Sequence, residues 1–262
     1  MTERFFHVPP PSTIVGLDRR AKDYEGMVGM DVKDNGKRKL MLGLALLAGF
    51  VVWTILICHV DVQRVGPNGS EVGFATLNVW FHHLTGVHML LYTITDWLGL
   101  VPIFICMGFG ILGFVQLVGR RSLLKVDPDL LLLGAHYVVV ILAYLLFEMV
   151  PINYRPILID GVLEASYPSS TTLLVLSVMP TLKYQVDQRV ASATLRKAGT
   201  AFVMAFSAFM VIGRLVAGVH WATDIIGSVL LSFGLFMTYC YMADCSVSKK
   251  ASAKAEESDG VQ

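Results

Sequence analysis

The sequence predicts an all-α, polytopic membrane protein with six transmembrane helices, and three observations carry that prediction. The chain of 262 residues is 55% hydrophobic and only 16% charged, with a mean hydropathy of +0.62. Its apolar residues gather into uncharged runs at 40–58, 97–119, 130–147, 165–182, 198–213 and 225–243. Each is near the roughly 20 residues that a helix needs to cross a bilayer, and the short run at 198–213 borrows flanking residues such as Leu215 and Val219. Finally, with the N-terminus inside, 18 of the 21 Lys and Arg lie on the inner side, leaving Arg64, Arg155 and Arg214 outside. That positive-inside asymmetry predicts a multi-pass protein of the cell membrane with both termini cytoplasmic.

Taken in order, residues 1–39 read as a loosely ordered cytoplasmic lead, with Pro9, Pro10 and Pro11 near its start and Lys37, Arg38 and Lys39 at its end. It shows no cleavable signal peptide, so the first span is expected to be retained. Residues 40–129 hold the first two spans. Between them, 59–96 form an outer segment that opens on a turn at Gly66, Pro67, Asn68 and Gly69. The stretch from Val72 to Thr95 lacks Lys, Arg, Asp and Glu, yet counting it as a span would invert every later loop. Asn78, His82, His83 and Gly86 suit one or two interfacial helices over the outer mouth. Residues 130–243 form the four-span core, and 244–262 a polar tail expected to be disordered.

The polar residues of this core converge on its outer face. Arg155 lies beyond the third span, Ser169, Ser170 and Thr171 start the fourth, Arg214 ends the fifth, and His220 and Asp224 start the sixth. Two helix N-termini point at the same place, and such termini favour anions. Arg155 and Arg214 offer donor forks suited to phosphate. His220 and Asp224, four residues apart, would share one helix face, where the carboxylate orients the imidazole. A phosphate at the outer edge of the bilayer, where a lipid headgroup sits, is the ligand this cluster predicts.

The order of these residues resembles the type 2 phosphatidic acid phosphatase (PAP2) superfamily of membrane lipid phosphatases. Its Lys-x6-Arg-Pro motif is matched by Glu148-x6-Arg155-Pro156, its Pro-Ser-Gly-His by Pro168-Ser169-Ser170-Thr171, and its Ser-Arg-x5-His-x3-Asp by Gly213-Arg214-x5-His220-x3-Asp224. The resemblance implies that His220 attacks phosphorus to form a phosphohistidine, that Asp224 orients it, and that Arg155 and Arg214 hold the phosphate, with Ser169, Ser170 and Thr171 beside them. It implies no cofactor and no metal. Three positions depart from the pattern: Glu148 reverses a charge, Thr171 replaces the general-acid histidine, and Gly213 replaces a serine. A threonine hydroxyl cannot supply the roughly 10²–10⁴-fold that general acid help is worth. A leaving group needing little help, as in an isoprenyl pyrophosphate, is therefore the expected preference over a simple lipid phosphate.

Glu148 or Glu164 could substitute as the acid, as could His82, His83 or His88 folded over the site, although Glu148 is expected to pair with Arg155. The rival reading is a non-catalytic protein that binds or moves a phospholipid headgroup, and a third is phosphoryl transfer between lipids. The bilayer is the expected surroundings, and no nucleic-acid partner is expected. Cys58, Cys106, Cys240 and Cys245 contain no CxxC pair and read as packing residues. His136 reads as an interhelical packing residue, and Asp160 and Glu164 as loop residues.

Overall fold

The computed structural model describes residues 11–259, with side chains described over 35–246 and at 248. The described residues form helices and short turns, with only isolated β-bridges in the loops. In order the helices are α1 (Pro11–His59), α2 (Ala75–Thr85), α3 (Met89–Leu98), α4 (Leu100–Arg120), α5 (Pro128–Met149), α6 (Ser170–Arg189), α7 (Ala193–Val216) and α8 (Ala222–Asp259).

Five helical segments are long and apolar enough to cross a membrane: Asn35–His59, Met89–Arg120, Pro128–Met149, Ala193–Val216 and Ala222–Ser246. The expected fourth span, starting at 168–171 in the uncharged run 165–182 and reaching Lys183, is found as α6 (Ser170–Arg189). Residues 165–169 are loop, and the 20 residues of α6 extend into the charged last turns with Lys183, Asp187 and Arg189. At 1.5 Å per residue α6 is still about 30 Å long. It is less apolar because it sits inside the bundle, packed on α4, α5, α7 and α8. Leu173, Val175, Val178 and Met179 are buried, as are Thr172, Ser177 and Thr181. A helix shielded by its neighbours need not present hydrocarbon to lipid. The outer helices do: Phe104 and Phe114 on α4 and Met204 on α7 stand exposed.

The first and last spans pack closely because glycines face each other across them. A Cβ at Gly43 would lie 2.8 Å from Thr238 Oγ1 and 3.1 Å from the Gly234 carbonyl, and one at Gly234 would meet Leu47. Small residues let two backbones approach, the usual device of helix pairs in a bilayer. Where the first span starts, Lys39 donates to Asp244 at 2.6 Å, and Tyr184 donates to the other oxygen of the same carboxylate. Arg189 reaches Asp129 from α6. Asp127 accepts from Gln116 and Arg120.

The stretches expected to be a loosely ordered lead and a disordered tail are helical where the structure describes them. Residues 11–39 are helical as the lead into α1, residues 1–10 lying outside the described residues, and α8 continues through residues 244–259. The second stretch carries Ala251, Ala253 and Ala255 with Lys249, Lys250, Lys254, Glu256 and Glu257, which favour helix, and neither stretch has a proline in its interior. The outer segment folds as α2 and α3. The second is joined to α4 through Gly99, which keeps helical angles (φ −59°, ψ −17°), so the second span is longer than its uncharged run.

Candidate active site

The site is built where the C-terminal ends of α5 and α7 meet the N-terminal ends of α6 and α8, and backbone geometry rather than helix faces sets its central residue. His220 precedes α8, in a turn that begins at Gly218 with φ +70°. The expectation that His220 and Asp224 share one helix face is therefore corrected: Asp224 is in the first turn and His220 is outside the helix. Asp224 Oδ2 accepts the backbone N–H of Trp221 at 2.9 Å, closing the helix start as an acid three residues past a cap does. Its distance to His220 Nδ1 is 3.8 Å. The nearer partner of Nδ1 is the Ser166 carbonyl at 3.1 Å.

This contact decides the tautomer. A carbonyl only accepts, so Nδ1 carries the hydrogen and Nε2 carries the lone pair. Nε2 is buried and has no hydrogen-bond partner. The His220 pKa lies well below the usual histidine value, first because of burial and then because of the charges of Arg155 and Arg214. The imidazole is thus held neutral, with Nε2 left without a partner in a residue that lines the cavity.

The two arginines are buried as well. Arg155 is carried by the loop after α5, where its backbone N–H bonds the Glu164 carbonyl and Tyr154 bridges Ala165. Its Nε lies 2.9 Å from Glu164 Oε2, but the N–H is not directed along that line, and Nε and Nη1 have no hydrogen bond. The expected pair with Glu148 does not form. Glu164 lies across the bridged loop beside Arg155, whereas Glu148 stays on the exposed last turn of α5. Arg214, 1% exposed, ends α7; its Nη1 is 3.6 Å from Asp96 Oδ1, and its Nε and Nη1 also lack hydrogen bonds. The Tyr92 ring lies 4.9 Å from the Arg214 guanidinium and 5.9 Å from that of Arg155.

Ser169 precedes α6 and is fully buried, yet its hydroxyl does not cap the helix and has no partner. Its amide reaches toward the Asp224 carbonyl at 3.4 Å, and Ser228 donates to the carbonyls of both Ser169 and Asp224. These bonds tie the start of α6 to the start of α8. Asn153 links the Arg155 loop to Asp224 at 3.4 Å. Asn78 of α2 donates to Thr223 Oγ1 at 2.9 Å.

A polar cavity of about 190 Å³ is lined by His220, Arg155, Glu148, Glu164, Ser166 and Ser170, with Tyr144, Phe147 and Tyr167 among its aromatic walls. Beside it lies a more apolar cleft of about 320 Å³ between α4, α5 and α6, lined by Leu100, Ile103, Val140, Ile141 and Leu173. Tyr144 and Ser170 line both. Thr171 lines only the cleft, with Asp96 across from it. Of the three outer histidines, His82 is near: its Nε2 contacts the Gly218 carbonyl at 3.2 Å and its ring stands 5.6 Å from that of Trp221. It braces the turn carrying His220. His83 and His88 are exposed and do not line the cavity.

The structure thus brings His220, Asp224, Arg155, Arg214, Ser169 and Ser170 together, keeps Glu148 on the cavity wall, and turns Thr171 toward the cleft. Sequence reasoning missed Tyr92, Asp96, Asn153 and Ser166. Asp96 had a signal, being the one charged residue between Val72 and Gly119. Ser166 acts through its backbone, which no side-chain pattern reveals.

Residues 128–245 match the family model of the PAP2 superfamily. That similarity covers the four-helix core α5–α8 and not the rest of the chain. The matched residues span α5–α8 and the loops between them, which hold the site residues except Asn78 and His82 of α2 and Tyr92 and Asp96 of α3. No curated protein matches the chain. A transmembrane PAP2-type phosphatidylglycerolphosphate phosphatase from Bacillus subtilis, known from its crystal structure, is similar in fold. The TM-score is 0.56 at 16% identity, covering 76% of this chain and 94% of that one.

Proposed function

We propose that this PAP2 core releases phosphate from a membrane lipid, with His220 as nucleophile. The observation that supports the reading is a convergence: the lone pair of His220 Nε2 and the Nη1 donors of Arg155 and Arg214 are all buried and all without a hydrogen bond. Buried polar groups are ordinarily paired, and leaving a charged one unmet is costly. A phosphate satisfies both guanidiniums at once. The adjoining apolar cleft suits the chain of a lipid whose headgroup enters the polar cavity.

In this mechanism Nε2 attacks phosphorus as the bond from phosphorus to the lipid oxygen breaks. The imidazolium keeps its Nδ1–H on the Ser166 carbonyl, and the Asp224 carboxylate 3.8 Å away offsets its charge. Arg155 and Arg214 neutralise the phosphoryl oxygens. Water then attacks phosphorus, the N–P bond breaks back to Nε2, and inorganic phosphate leaves. Thr171 contributes no acid, so the leaving oxygen takes its proton from elsewhere unless it belongs to a pyrophosphate.

Phosphate release by the purified protein from phosphatidate and from an isoprenyl pyrophosphate, beside His220→Ala, tests the reading. Release is expected to fall by at least about 10³-fold in the variant. If no lipid is turned over, while headgroup binding persists and is lost in Arg214→Lys, the protein is a headgroup binder instead.

A further inference from the structure

We propose that the polar cavity selects a lipid phosphate carrying a protonated amine two carbons from its ester oxygen, with the phosphate on Arg155 and Arg214 and the ammonium on Glu148. This deepens the phosphatase reading and rests on it for the position of the phosphate. The cavity wall has two chemistries. One side is cationic, with the buried Arg155 in the wall and Arg214, which shares the Tyr92 ring with it, behind the wall; the buried donors of Arg155 and the free Nε2 of His220 mark it as the anion half. The other side is formed by the last turns of α5, where Glu148 stands with Tyr144 one turn before it and Phe147 beside it.

Glu148 has no hydrogen-bond or ion-pair partner among the described residues, although Arg155 lines the same cavity. The carboxylate paired with Arg155 is Glu164. Glu148 is therefore an uncompensated negative charge on the wall of an anion site. It repels a bare phosphate, and a second phosphate more strongly. A ligand that places a positive charge between its phosphate and Glu148 turns that repulsion into attraction. A carboxylate flanked by aromatic rings is also the surface that recognises ammonium groups.

The same ligand supplies what Thr171 lacks. As Nε2 bonds to phosphorus and the ester bond breaks, the leaving oxygen takes a proton from the adjacent ammonium. The lipid departs as a neutral amino alcohol, which is reprotonated by water. Glu148 holds the ammonium close to that oxygen.

The test uses the full chain in detergent micelles with a long-chain 2-amino-alcohol phosphate and its N-acetyl derivative. The free amine is expected to be favoured about tenfold in kcat/KM. The ratio should collapse toward one in Glu148→Gln and reverse in Glu148→Lys, which gains on phosphatidate. Thermal midpoints give a readout independent of turnover: 2-aminoethyl phosphate should stabilise the wild type more than propyl phosphate, and equally in Glu148→Gln. Stabilisation by phosphatidylethanolamine exceeding that by the amino-alcohol phosphate would reassign the source to a diester headgroup. Equal handling of amine and N-acetyl substrates, with release still abolished by His220→Ala, overturns the selection and leaves the phosphatase standing. Amine-dependent stabilisation without release from any lipid keeps the recognition and overturns the phosphatase. Neither release nor amine dependence overturns both.

Discussion

At the scale of the residue, the pH behaviour of His220 follows from its surroundings. An ordinary histidine titrates near about 6.5, and in a nucleophile that would remove half the attacking form at that pH. Burial, Arg155 and Arg214 all oppose a positive charge on His220, so its pKa lies well below this value. Protonation is the inactivating direction, and it is deferred to lower pH. The acid limb of kcat/KM, which reports the free enzyme, should therefore show no histidine break between about pH 7 and pH 6. The same shift works against stability: below about 6.5 the unfolded chain binds a proton that the folded chain refuses, so stability declines as pH falls. A kcat/KM profile that halves near pH 6.5, with His220 as the titrating group by NMR, would refute this account. The residue types needed here were legible in the sequence, because Arg155, Arg214, His220 and Asp224 recur at fixed spacings. Their hydrogen bonds were not. The partner of Nδ1 is a main-chain carbonyl 54 positions away, and Arg155 takes Glu164 rather than Glu148 because a bridged loop folds back between them.

At the scale of the element, the turn between α7 and α8 is held from outside by the segment between α2 and α3. The His88 amide donates to the Ala217 carbonyl at 3.0 Å, and His82 reaches the Gly218 carbonyl. Gly218 approaches so closely that a Cβ would fall 2.0 Å from the Gly86 carbonyl oxygen, and its φ of +70° disfavours any other residue. Gly218→Ala meets both penalties. The left-handed backbone alone costs about 1–2 kcal/mol, and the clash must push α2–α3 away from the His220 turn. The expected result is a lower thermal midpoint together with at least a tenfold loss of phosphate release. Loss of stability with unchanged turnover would show that the turn does not position His220. Helix existence was legible from apolar runs, and the pair α2–α3 from a run too polar to cross. The start of α6 at Ser170 was legible from Pro168, Ser169, Ser170 and Thr171; its run past Lys183 to Arg189 was not, because those charged turns lie beyond the uncharged stretch.

At the scale of the whole molecule, the structure puts the start of the first span against the end of the last and the site far from both. Lys39, entering the first span, bonds Asp244, leaving the last. Asp224 and Asp244 lie on one helix and are separated by about 30 Å at 1.5 Å per residue, the thickness of a bilayer's hydrocarbon core. The site and the Lys39–Asp244 pair therefore lie about one bilayer core apart along α8, whichever way the protein is inserted. The charge pattern supplies the direction: the end with Lys39, Arg120, Arg121, Lys183 and Arg189 is expected to face the cytoplasm, which places His220 outside. Cysteine labelling separates the two orientations. With Cys58, Cys106, Cys240 and Cys245 replaced by serine, Glu71→Cys lies on the exposed segment after α1, at the site end. Ala191→Cys is exposed between α6 and α7, at the opposite end. A membrane-impermeant maleimide should label the first in intact cells and the second only after permeabilisation. The reverse pattern would move the site to the cytoplasmic face, and any lipid it dephosphorylates would then be drawn from the inner leaflet.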